Sequence, residues 1–268
     1  MNHLIQLRHT LHQFPETALE ETQTARRILE FFRPLAPDQI LENLGGTGLA
    51  FVFQGAKPGK RLLFRGELDG LPIADLKKSD HQSQIPGKGH LCGHDGHMAI
   101  LCGLGEKLSQ NRPESGEVVL LFQPAEETGD GAKAVLSDSR FEQIRPDYAF
   151  ALHNLPGYPI HQIVMRKGTF AAGSTGMTIT LTGKTSHSAH PEAGINPAQA
   201  LAKLIQELPY LPQEATGFAL LTLIHAELGS LAFGTSAGKG SLSMTLRAFD
   251  QQDLDSLIER VKGKARII

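Results

Sequence analysis

The 268-residue chain is 40% hydrophobic and 20% charged, with a formal net charge of -2. Such a near-neutral balance offers no basic field for nucleic acid and no pull toward an anionic membrane, so neither is expected as a partner. Two cysteines, Cys92 and Cys102, are too few for a disulfide scaffold and suit a reducing cytoplasm.

The chain opens on MNHLIQLRHTLHQF, a broken amphipathic pattern without the apolar run of a signal peptide. LRHTLHQFPETALEETQTARRILEFF reads as two helical segments broken at Phe14–Pro15, since proline disfavours helix in the residue before it. The second segment carries Ala18, Leu19, Thr22, Ala25, Ile28, Leu29 and Phe32 at helical spacing. Strands are expected at LAFVF, RLLFRG, EVVLLFQ, DYAFALH and HQIVMR. Several are continuous apolar runs, as befits strands covered on both faces. Helices are expected at HMAILCGLGEKLSQ and GAKAVLSDSRFEQI, and this alternation indicates an α/β layered domain.

The pattern changes near Gly173. MTITLTGK alternates apolar and polar residues, the mark of a sheet with one wet face. A helix at NPAQALAKLIQEL, strands at FALLTLIHAEL and GSLSMTLRAF, and a helix at DQQDLDSLIERVKGK follow. That β-α-β-β-α run is a ferredoxin-like order lacking its last strand. It places a boundary between a domain of residues 1–172 and one of 173–268.

Ligands of open α/β sheets bind at the carboxyl ends of the strands. Here RLLFRG runs into Glu67-Leu68-Asp69, EVVLLFQP into Glu126-Glu127 and DYAFALH into His153-Asn154, while GHLCGHDGHMAIL leads into a helix. These segments would bring Asp69, Cys92, His94, Glu126, Glu127 and His153 to one edge. Three chemistries compete for them. A structural zinc knot wants a close cysteine pair, and Cys92 and Cys102 are too far apart. A cysteine nucleophile with a histidine base leaves the paired glutamates unexplained. A catalytic metal centre uses every residue, with the second carboxylate free to act as a base.

Together, LRHTLHQFPETALEETQTA, RGELDGLPI, GHLCGHDGHMAIL, LFQPAEETGDGA, ALHNLPGYPI, GKTSHSAHPEAGINP and MTLRAFD resemble the metal-dependent amidohydrolases that include hippurate, N-acyl-amino-acid and auxin-conjugate hydrolases. These form a branch of the aminoacylase and carboxypeptidase superfamily. The resemblance implies a zinc-peptidase-like mixed sheet covered by helices, and a ferredoxin-like lid or dimerisation domain over 173–268. It implies two divalent ions (Zn, Mn, Co or Ni) held by Cys92, His94, Glu127 and His153, with the Cys92 thiolate shared. Glu126 would be the general base for metal-activated water, and Asp69 would orient the ligands. His187 would come from a partner protomer of a homodimer to stabilise the oxyanion. Arg247 would face the carboxylate of an N-acyl amino acid or small peptide.

Three departures from the family pattern accompany the resemblance. RGELDGLP carries Glu67 where the family has aspartate, and AFGTSAG carries Gly234 where the superfamily has asparagine. Relatives are also expected to continue past KARII, with one more histidine ligand and the remaining strands, so a truncated chain with one ion site short of a ligand is expected. Hence a reading from another class stands beside the hydrolase: a catalytically impaired relative kept for binding or assembly.

Overall fold

The computed structural model describes residues 2–267. It divides into two compact units, Met1–Tyr158 and Pro159–Ile268. The first begins with helices α1 (Asn2–Gln13) and α2 (Thr22–Phe32) and strands β1 (Gln39–Leu44), β2 (Gly48–Gln54) and β3 (Lys57–Glu67). Helix α3 (His94–Gln110), strand β4 (Ser115–Gln123), helix α4 (Gly131–Ser137) and strand β5 (Tyr148–Ala151) complete it.

Its five strands lie in the order β1-β2-β4-β3-β5. β1, β2 and β4 pair antiparallel, whereas β3 pairs parallel with both β4 and β5. Apolar residues in β2 and β4 fill both faces. Phe51, Phe53, Val118, Leu120 and Phe122 join Ile28 and Phe32 of α2 and Met98 and Leu101 of α3 in one core. Ala50, Val52, Val119 and Leu121 join Val135, Phe141 and Ile144 in another. At the centre of the first, the Phe32 ring stacks on Phe51 at 3.9 Å between centroids and meets Phe122 edge-on at 5.6 Å. Each such buried aromatic contributes roughly 1.5–3 kcal/mol by leaving water. α3 approaches this cluster through Gly105, where a Cβ would stand 2.4 Å from the Phe32 ring.

Two expectations fail here. Ala18 and Leu19 precede α2; Leu19 has φ 65° and is exposed. The helix instead begins where the Glu16 carboxylate accepts the backbone N–H groups of Gln23 and Thr24, at 3.2 and 2.7 Å, a cap supplied from outside the helix. Residues 161–166 form no strand; Ile163 and Met165 are each 83% exposed, and no neighbouring strand pairs with them.

The second unit contains β6 (Gly173–Thr182), β7 (Ser186–His187), α5 (Ala198–Glu207), β8 (Ala219–Leu228), β9 (Thr235–Ser236), β10 (Lys239–Ala248) and α6 (Gln251–Ile267). An antiparallel sheet runs β6-β10-β8, and β7 and β9 form a separate short pair. Along β10 the side chains of Leu242, Met244 and Leu246 are buried while those between are not, as the period-two pattern predicts. They pack on Leu201 and Leu204 of α5 and on Leu254, Leu257 and Val261 of α6. Among the described residues no helix is long and apolar enough to cross a membrane.

Candidate metal centre

The parallel trio β4-β3-β5 fixes the site. Register pairs Glu67 with Gln123 and Arg65 with Ala151, so three strands release their chains at the same edge. The segment after β3 supplies Asp69, the turn after β4 supplies Glu126 and Glu127, and the segment after β5 supplies His153. Cys92 and His94 enter from the fourth side, at the start of α3. Gly93 makes that entry possible: its φ is 95°, and a Cβ there would stand 2.3 Å from Asn154 Oδ1. Left-handed backbone and close approach together demand glycine.

The six side chains expected at this edge converge. Cys92 Sγ lies 3.3 Å from His153 Nε2. His94 Nε2 is 3.8 Å from Glu126 Oε2 and 3.8 Å from Glu127 Oε1. Cys92, His94 and His153 each offer a ligand atom within 4.8 Å of the others, and so do His94, Glu126 and Glu127. His94 is common to both sets. Its Nδ1–H donates to the Asp69 carbonyl at 2.8 Å, so Nε2 is the nitrogen that offers a lone pair once the ring loses its second proton. The Asp69 carboxylate accepts the Glu127 backbone N–H at 2.9 Å. Asp69 therefore orients one residue of each ligand set, the work expected of an outer-shell partner.

The electrostatics describe a site awaiting positive charge. Burial pushes the Cys92 thiol up to about 12, helped by the charges of Glu127 and Glu126. Burial acts to lower His94, but the Asp69 bond and the Glu67 charge outweigh it and hold the ring up at about 9. Burial likewise raises the Glu127 carboxyl. His94 Nε2 and Glu127 Oε1 are buried and have no hydrogen-bond partner. Buried polar atoms are normally satisfied. Imidazole, thiolate and carboxylate atoms facing one another, two of them orphaned, fit zinc-like divalent cations.

Ligand atoms of Glu67, His94 and His97 also lie within 4.8 Å of one another, yet His97 is already spent. Its Nδ1 faces Glu67 Oε2 at 2.7 Å and its Nε2 faces Asn154, whose Oδ1 lies at 2.8 Å. His97 stands three residues after His94, hence on the same helical face, and that spacing was the available signal for its place behind the site. Asn154 and Glu21 had no such signal. Glu21, wholly buried, accepts the Ala125 N–H at 2.8 Å and the Thr47 hydroxyl at 2.6 Å. It thereby supports Ala125, whose φ of 47° turns the chain into Glu126.

His187 and Arg247 belong to the second unit. His187 is exposed on β7 opposite Thr235, and its Nδ1 accepts the Ala189 N–H at 3.1 Å. Arg247 is exposed on β10 between Ser174 and Leu220.

Residues 63–222 match the model of peptidase family M20/M25/M40. The chain belongs to this family. It is 31% identical to an N-acetyldiaminopimelate deacetylase of Exiguobacterium sibiricum, across 99% of this chain and 72% of that protein. A crystal structure from methicillin-resistant Staphylococcus aureus superposes with a TM-score of 0.80 at 25% identity, over 97% of this chain and 70% of the other. A dinuclear metal-binding M20 peptidase of Bacillus subtilis gives 0.74 at 25% identity, over 98% and 68%. The chain is thus a metal-dependent M20 amidohydrolase, and the comparisons do not favour the purely binding or assembly role.

Proposed function

We propose that this M20 hydrolase cleaves the amide bond of an N-acyl amino acid, with N-acetyldiaminopimelate, named for its relatives, as the first substrate to test. The observation that carries the reading is His94 Nε2, buried without a partner and shared by the Cys92–His153 and Glu126–Glu127 sets. In this reading Cys92, His94, Glu127 and His153 would hold two divalent ions, His94 being the residue common to both clusters. Bound divalent cations polarise a carbonyl and make water acidic enough to attack near neutral pH.

The remaining work falls to the protein. Glu126 has the more exposed carboxylate of the pair, 39% against 21% for Glu127. It takes the proton of the attacking water and returns it to the leaving amine nitrogen. Asp69 keeps His94 in the tautomer whose Nε2 lone pair faces the site. His187 stabilises the oxyanion, contributed by the partner of a homodimer built through residues 173–268. Arg247 binds the substrate carboxylate through its planar pair of donors.

Glu126→Gln separates base from ligand. With Zn²⁺ or Mn²⁺ supplied, the variant should bind ions like the parent while turnover falls by roughly 10²–10⁴-fold, the usual contribution of a general base. Failure of the ion-loaded parent to hydrolyse any of a broad panel of N-acyl amino acids overturns the proposal.

A further inference from the structure

His12, on α1, belongs to no ligand set, yet it joins the two segments that frame the Cys92–His94 run. Its Nδ1 lies 3.0 Å from Asp95 Oδ2 on the first turn of α3, and its Nε2 lies 3.4 Å from Asp75 Oδ2. Arg8, one turn earlier on α1, donates from Nε to the same Asp95 oxygen at 3.0 Å. These contacts are sheltered: Asp95 and Asp75 side chains are 1% and 2% exposed, and His12 is 14% exposed.

Asp75 in turn organises the segment that precedes the ligands. Its carboxylate accepts the backbone N–H groups of Lys77 and Ser83 at 3.0 and 3.1 Å. The loop closes on itself where Leu71 and Gly89 exchange backbone hydrogen bonds of 2.9 and 3.0 Å. One imidazole therefore ties the loop entering the Cys92–His94 run to the helix leaving it. We propose that His12 is a positioning residue: by hydrogen-bonding Asp95 and standing at ion-pair distance from Asp75, it fixes the separation of Cys92 and His94 and so sets the ion affinity of the site. This rests on the metal-hydrolase reading above.

Charge supports the geometry. A ring with carboxylates at both nitrogens donates twice only as the imidazolium. The Asp95 bond raises the His12 pKa above its ordinary value, with Asp75 also contributing against the cost of burial. The other groups facing it are Arg8 and His9 of α1, His81 of the loop, and His90. His81 stacks on His9 at 4.1 Å and meets His12 edge-on at 5.2 Å. Burial, with neighbouring positive charge, lowers His81, and burial lowers His90 to about 4. His12 is raised where His81 and His90 are lowered.

The test measures Mn²⁺ and Zn²⁺ affinity of the full chain by calorimetry in His12→Asn, Asp75→Asn and the double variant, with circular dichroism to verify folding. Asparagine at 12 reaches one carboxylate and carries no charge. Each single variant should bind ions about tenfold more weakly, at the low end of the range for outer-shell substitutions. The double variant should lose no more than His12→Asn alone, because both break the same clamp. Should His12→Asn not fold, Asp75→Asn decides. Folded variants with parental affinity overturn this inference alone. A parent chain that takes up no ion overturns the hydrolase reading with it.

Discussion

Cys92 Sγ and His153 Nε2 sit 3.3 Å apart although 61 residues separate them in sequence. The contact joins the start of α3 to the end of β5, two segments that the parallel strands bring to one edge. A neutral thiol beside an imidazole is a weak interaction, and here the carboxylates nearby disfavour the thiolate. In the proposed centre the pair would be two ligands of one cation, which would favour the thiolate outright.

Cys92→Ala should therefore abolish tight ion binding while leaving the fold intact. The thiol is half-buried, so its loss leaves no large cavity. The affinity loss should exceed the roughly 10–100-fold seen when only an outer-shell partner is removed. Elemental analysis after gel filtration provides the check. Parental ion content in this variant would remove Cys92 from the site.

Ion uptake should strengthen as pH rises. In the ion-free protein Cys92 holds its proton to about 12 and His94 to about 9, and both must be deprotonated to bind a cation. Below about 9 each loading event displaces two of these protons, so log affinity should climb with a slope of about two per pH unit. The ion-free fold responds in the opposite sense. The raised His94 value contributes stability below its ordinary 6.5, and that stability is lost as pH rises through about 9. Competition with a chelating dye between about pH 6 and 8, beside melting curves of the stripped protein, checks both trends. A flat affinity profile contradicts the protonated-ligand picture.

Much of this site was legible because its residues are polar groups at the ends of apolar runs. The runs LLF and VVLLF demanded burial on both faces, and the parallel pairing of β3 with β4 and β5 carried Asp69, Glu126, Glu127 and His153 to the same edge. Hydropathy misled where apolar residues are not covered. Tyr148 and Phe150 of β5 are 56% and 48% exposed, and HQIVMR looked like a strand but pairs with nothing. Support groups were harder still. Glu21 and Asn154 act through single hydrogen bonds to distant backbone or ring atoms, and no periodicity marks such contacts. The same holds for Glu16, whose carboxylate caps α2 from eight residues before Thr24.

Glu67, buried beside His97, offers a last test. Its side chain is 1% exposed, with Oε2 2.7 Å from His97 Nδ1 and Oε1 2.8 Å from Arg65 Nη2. Burial opposes its charge, yet the His97 bond and the Arg65 charge outweigh it, and the carboxyl ends below its ordinary value. Glu67→Ala leaves a buried ring nitrogen without its partner, a loss of about 2–3 kcal/mol for a hydrogen bond to a charged group. Glu67→Asp withdraws the carboxylate by about 1 Å and should lie between the parent and Glu67→Ala. Because His97 is tied to Glu67 and Asn154, ion stoichiometry should stay at the parental value in both variants. Urea unfolding and elemental analysis separate the two readouts. A lost ion with unchanged stability would make Glu67 a ligand and not a support for His97.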